Sequence, residues 1–133
     1  MIILCIATFF VIDYVSKNNA IDENDYLYEI AVDDLLTEYK DNAIQASLKY
    51  EDKVVKITGT IDSIDGDKDQ VQIVLEDSVL MYRVVLIFTD SDEIEQISSL
   101  VSGDDIVVVG KVNALENTVI TNILSISKCN YID

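Results

Sequence analysis

Three aspartates stand at alternate positions in the stretch Asp65-Gly66-Asp67-Lys68-Asp69, and Glu76 lies further along the same stretch. Oxygen ligands at the first, third, fifth and twelfth positions of a loop are the pattern that wraps a calcium ion. Asp65, Asp67, Asp69 and Glu76 occupy those positions, but the sharp turn also needs glycine at the sixth, where Gln70 stands. From Gln70 onward, Val71, Ile73 and Leu75 alternate with Gln72, Val74 and Glu76. That is a strand pattern, and a strand would carry Glu76 away from Asp65. Asp65-Gly66 is a hairpin turn signal. The stretch reads as an acidic hairpin tip, with Asp65, Asp67 and Asp69 a weak metal candidate and no dedicated metal site expected.

Other chemistry is restricted by composition. The chain has no histidine, which removes the commonest general base and metal ligand. Its only arginine is Arg83, so no arginine cluster can recognise phosphate. Ser98, Ser99 and Ser102 have no histidine or placed lysine to activate them. Carboxylates are so abundant that no pair stands out as an acid and a base. No enzyme activity and no cofactor are expected.

The charge balance is 9 basic against 25 acidic residues, or −16. Residues 13–52 carry 11 acids and 3 bases, and residues 53–133 carry 14 and 6, so the acid is not confined to a tail. Tight nucleic-acid binding depends on lysine and arginine displacing counterions from phosphates. This surface repels a polyanion instead, which disfavours nucleic acid as a partner.

The elements that must position any site follow from periodicity. Met1 to Ile12 is an apolar run closed by Asp13. Its helical rise would be roughly 18 Å, short of the ~30 Å hydrocarbon core. Residues 1–15 are read as a membrane anchor truncated at its start, with a helix packed on protein or lying at an interface as the other reading. Residues 16–31 are polar and acidic and read as a linker. In 32–52, Leu35, Tyr39, Ala43, Ala46 and Tyr50 share one helical stripe, which Asn42 interrupts. One helix or two short ones is expected there.

From Lys53 the period changes to two. Strands are expected at 53–65, 70–76, 80–88, 106–112 and 118–129, with Gly59 as the site of a bend in the first. A helix is expected at 90–101, capped by Asp90, with Glu93 reaching back and Gly103 as its stop. A helix, three strands, a short helix and two strands is the order of a mainly β (α+β) fold, the five-stranded Greek-key barrel called the OB-fold. An SH3-like barrel and an α+β sandwich are the alternatives. Residues 32–133 form the domain.

OB barrels bind ligands on their second and third strands, flanked by the loops after strands one and four. With Val84, Leu86 and Phe88 inward, Arg83, Val85 and Ile87 point outward, and Val74 joins them. Two readings of this strip stay open. Either the helix at 32–50 covers it, or it is a groove for a protein, peptide or glycan. Single-strand binders carry aromatic platforms and basic flanks here, and this strip offers one arginine.

The segments "LLTEYKDNAIQASLKYEDKVVKITGTIDSI", "LIFTD", "SGDDIVVVGKV" and "SISKCNYI" resemble the bacterial OB-fold lipoprotein family, grouped as tRNA-anticodon-binding-like domains. The resemblance falls on Leu35, Tyr39, Tyr50, Lys53, Gly59, Gly103, Asp104, Gly110 and Cys129, and covers roughly residues 32–132. Ser102 stands where the family's turn has lysine, and Val112 stands near the place of a further cysteine. The resemblance implies a membrane or lipid anchor ahead of a polar linker, and a place outside the cytoplasmic membrane in the bacterial envelope. Its name implies nucleic acid by analogy of fold.

Overall fold

The computed structural model describes residues 20–132. The expected anchor at 1–15 lies outside the described residues. Among the described residues, no helix is long and apolar enough to cross a membrane. The chain runs β1 (Tyr28–Ala31), α1 (Val32–Asp41), α2 (Ala43–Tyr50), β2 (Val54–Gly66), β3 (Val71–Leu75), β4 (Tyr82–Phe88), α3 (Ser91–Ile97), β5 (Asp105–Val112), β6 (Glu116–Asn117) and β7 (Asn122–Ile132).

Strands pair in the order β2-β3-β4-β7-β5, and β5 returns to β2 to close a barrel. All these pairings are antiparallel except β4 with β7. This is the OB-fold. β1 pairs in parallel with Val55–Thr58 of β2, so four residues of the expected linker belong to the sheet. Ala20 and Ile21 also reach the domain, where their amides donate to Asp90 Oδ2 and the Lys128 carbonyl at 3.2 and 2.9 Å.

The long β2 serves two neighbours. Residues 54–60 pair with β5 and 61–66 pair with β3. Val55, Ile57 and Ile61 face the core, and the next inward residue is the half-buried Ile64. That break of the two-residue period is a bulge at Asp62, where the register with β3 shifts. The bulge therefore lies three residues beyond Gly59, the expected bend. Gly59 serves packing: a Cβ there would lie 3.1 Å from Leu75 Cδ1 and 3.3 Å from Val32 Cγ1.

A second irregularity joins β5 to β7. Lys128 adopts a left-handed φ of 53°, and the register slips between Val109 and Lys111. Leu124, Ile126 and Cys129 are the buried residues of β7, so its phase also shifts by one. Gly110 faces this point. A Cβ on it would lie 2.6 Å from Ile126 Cγ2, 3.0 Å from the Ser127 carbonyl and 3.1 Å from Cys129 Sγ. The Cys129 thiol is free and buried, donates to the Ile126 carbonyl at 3.2 Å, and is pushed up to about 12 by burial.

Asn42 divides the expected long helix into α1 and α2, and its side chain caps α2 by accepting the Gln45 N–H at 3.1 Å. Leu35, Tyr39, Ala46 and Tyr50 are buried as their spacing requires, whereas Ala43 is exposed because the helix axis restarts there. Tyr39 and Tyr50 stack with ring centroids 6.3 Å apart, and Tyr28 meets Tyr50 edge-on at 5.2 Å. The Tyr50 hydroxyl bonds the Glu38 carboxylate. The buried Tyr39 hydroxyl has no hydrogen-bond partner among the described residues.

α3 is shorter than expected, and its cap is only half as expected. Asp90 accepts the amides of Asp92 and Glu93. Glu93 does not reach back. It is buried, accepts the Tyr131 backbone N–H and so ties α3 to the end of β7. Burial pushes its carboxyl above the ordinary value of 4.5, against the opposing Tyr131 hydrogen bond.

Three outcomes follow from these contacts. Gly110→Ala is expected to lower stability by about 1–3 kcal/mol in urea unfolding, because the added methyl meets backbone and core with no room to yield. Tyr39→Phe is expected to leave the urea midpoint unchanged or raise it, since the removed hydroxyl forfeits no bond. Glu93 binds its proton more tightly folded than unfolded, so its stabilising contribution is present at low pH. That contribution is lost as pH rises from the ordinary carboxylate value through the raised one. Glu93→Gln is expected to remove its share of that slope and raise the urea midpoint at pH 7.

Candidate ligand-binding face

β3 and β4 form the outer strip because their inward positions are taken. Val71, Ile73 and Leu75 of β3 and Val84, Leu86 and Phe88 of β4 are buried, which turns the intervening residues outward. The register sets Val74 opposite Val85 and Gln72 opposite Ile87, while Ser125 of β7 lies on the other side of Val85. Arg83, Val85 and Ile87 are successive outward residues of β4. The four expected face residues therefore lie on one surface. Val74, Val85 and Ile87 are half-buried and Arg83 is exposed.

The N-terminal helices do not account for this strip. Val32, Leu35, Leu36 and Tyr39 of α1 belong to one core cluster with Val84, Leu86 and Phe88, which point the opposite way from Val85. Val74, Val85 and Ile87 lie outside that cluster and outside the shell of residues packed on it. α1 is instead fixed at the barrel end, where Asp33 accepts the Ser78 N–H at 3.0 Å and its hydroxyl at 2.8 Å.

Arg83 differs from its three companions in lining a cleft of about 760 Å³ between the β3–β4 and β6–β7 loops. Asp62, Glu76, Asp77, Leu80, Met81 and Ile120 share that lining. Burial pushes the Asp77 carboxyl above the ordinary range, and Asp33 and Asp62 add to the rise. The Val79 N–H and the Arg83 charge oppose it. The Asp77 side chain accepts that N–H at 3.0 Å. Sequence periodicity gave no notice of this cleft, because it is built from two loops far apart in the chain.

The aspartates of the β2–β3 connection are used locally. Asp67 Oδ1 accepts the amides of Asp69 and Gln70 at 2.8 and 3.1 Å, and Asp65 Oδ1 accepts the Gly66 amide at 2.9 Å. Gly66 pairs with Val71, so the turn is 67–70 and begins later than the Asp65-Gly66 signal. Asp65 lies opposite Gln72, while the Glu76 amide bonds the Thr60 carbonyl far up the ladder. The structure does not bring Glu76 to the aspartates. Among the described residues, no group of three or more cysteine, aspartate or glutamate side chains is placed to hold a metal ion.

Three lysines elsewhere face acids. Lys49 pairs with Glu38 at 3.1 Å, Lys56 with Glu29 at 3.9 Å and Lys111 with Asp52 at 3.8 Å. Lys49 also lies over the rings of Tyr28 and Tyr50, at 5.3 and 4.9 Å from their centroids.

Comparison with known proteins agrees with this architecture. A "putative nucleic acid-binding lipoprotein" from Klebsiella pneumoniae is similar in structure, with a TM-score of 0.64 at 20% identity, over 79% of this chain and 91% of that one. A "putative aspartyl-tRNA synthetase" from Leishmania major is similar with a TM-score of 0.52 at 14% identity, over 77% of this chain but only 20% of the synthetase. At these identities the likeness is one of fold. No curated protein sequence matches the chain. The family model tRNA_anti-like matches residues 1–124. The chain belongs to the tRNA_anti-like family.

Proposed function

We propose that this protein is a membrane-tethered, non-catalytic binding module of the bacterial cell envelope, acting outside the cytoplasmic membrane. Residues 1–15 serve as the anchor, the acidic segment after them as a spacer, and the barrel as the recognition unit. The strip of Val74, Val85 and Ile87, half-buried yet outside the core cluster, carries this reading. With Arg83 at its end, it offers an apolar surface with one fixed cation to a protein, peptide or glycan. Apolar surface that a fold leaves open beside a cleft is a common place for binding. The tether is supported by the apolar run of residues 1–12, which the family match includes, and by the lipoprotein name of the Klebsiella protein.

A second reading, single-stranded nucleic acid, is favoured by the name of that same protein and of the family. Charge opposes it. A net charge of −16 repels phosphates at long range, and the single arginine of the strip shares its cleft with three carboxylates. The chain also lacks tryptophan, the largest stacking platform.

The deciding experiment is a fluorescence-anisotropy titration of the full chain, held in a non-ionic detergent, with labelled single-stranded DNA and RNA at low salt. No saturable binding is the expected result. Saturable binding that weakens with salt, and that Arg83→Ala or Val85→Asp removes while cooperative unfolding persists, would install the nucleic-acid reading in its place.

A further inference from the structure

We infer that the cleft between the β3–β4 and β6–β7 loops is a docking site for a basic, amphipathic segment of a partner protein. This deepens the binding-module reading and rests on it.

The observation is a set of exposed apolar side chains where turn residues belong. Thr118 and Thr121 close the β6–β7 turn, with the Thr118 amide donating to the Thr121 carbonyl at 2.9 Å and the Thr121 amide to Thr118 Oγ1 at 3.0 Å. Val119 and Ile120 form its tip, 99% and 81% exposed. Hairpin tips favour asparagine, aspartate and glycine, which satisfy turn geometry and cost nothing in water. The neighbouring loop repeats the pattern, with Leu80 78% and Met81 55% exposed. Leu80, Met81 and Ile120, on two adjacent loops, share one cleft lining and form a patch, and such patches mark interaction surfaces.

The patch is held in place. Asn122 donates its amide and its Nδ2 to the Met81 carbonyl, at 2.8 and 3.2 Å. Met81 has a left-handed φ of 67°, uncommon for a residue with a side chain, and that conformation directs its carbonyl to Asn122. On the other side, Asp33 grips Ser78. Backbone hydrogen bonding of the two loops therefore places Leu80, Met81 and Ile120 on one rim, which spares a ligand the entropy of ordering the loop backbone.

Charge selects the occupant. Asp62, Glu76 and Asp77 line the same cleft, and Arg83 offsets one of them. A second copy of a chain bearing −16 would be repelled, and so would an anionic lipid surface. A segment with leucine or isoleucine on one face and lysine or arginine on the other meets both features. Its apolar side chains cover Leu80, Met81 and Ile120, and its cations face Glu76 and Asp62.

The test uses the full chain in a non-ionic detergent and a fluorescein-labelled amphipathic peptide of leucine and lysine, read by anisotropy. The detergent background is common to all variants. The pair Leu80→Ser and Ile120→Ser is expected to weaken binding by roughly tenfold, and Glu76→Gln severalfold. The matched controls Val101→Ser and Asp69→Asn, an exposed apolar and an exposed acid elsewhere, are expected to leave binding unchanged. Equal weakening by Glu76→Gln and Asp69→Asn would reduce the effect to the overall field and overturn the site. So would peptide binding that is indifferent to Leu80 and Ile120. Peptide binding lost on Val85→Asp but kept in Ile120→Ser would sink this site and leave the binding-module reading standing. Binding of RNA with none of peptide would sink both.

Discussion

The barrel depends on one strand doing two jobs. β2 must give its first half to β5 and its second half to β3, and every other pairing is arranged around that division. A straight strand cannot curl from one sheet into the other without a break in its pleat. The bulge at Asp62 supplies that break and moves the inward phase from Ile61 to Ile64. Beside it, Gly59 lets Leu75 and Val32 approach the backbone, so that α1 can seat on the barrel at the level of the bend. β7 meets the same demand on the far side, where Lys128 bulges and Gly110 leaves room for Ile126 and Cys129. Closure removes the free edges that an open sheet would expose. β1 covers part of what β2 still leaves open.

Closure also distributes the surface. The inward positions take the aliphatic side chains, and the aspartates and glutamates must lie outside, in loops and on helix faces. Several are used there as local acceptors: Asp33 for Ser78, Asp67 for its own turn, Asp90 for α3 and Ala20. Glu93 is the exception, a buried carboxylate that accepts the Tyr131 amide of β7. The acid thus contributes to architecture locally and sets the sign of the field around the molecule. A field of this sign disfavours polyanions whatever the shape of the binding face.

The two surfaces that could bind a ligand beside β4 are neighbours. The outward strip of β3 and β4 is fixed by strand register. The rim of Leu80, Met81 and Ile120 is fixed by loop hydrogen bonds at the start of the same β4. Arg83 belongs to both, as an outward strand residue and as part of the cleft lining. A ligand that begins in the cleft could run along the strip without leaving the protein surface.

Much of this was legible in the chain itself. Alternation in β3 was regular enough to fix which residues face inward, whereas β4 is apolar on both faces and its phase came from pairing with β3 and β7. The order of elements named the barrel, and Asn42 marked the break between α1 and α2 because a short amide side chain caps a helix better than it continues one. The bulge at Asp62, the inward turn of Glu93 and the sheet role of Tyr28–Ala31 were not legible, since each depends on a partner strand that local pattern does not reveal. Glu76 stood at the twelfth position of a calcium loop in sequence, yet the ladder placed it beside Thr60. The Leu80, Met81 and Ile120 rim existed only once β4 and β7 had paired. Sequence by itself determined the kind and order of most elements and the buried face wherever the period is unbroken, because burial follows local periodicity. Tertiary structure alone decided which outsides meet, because that follows from strand pairing between residues some forty positions apart.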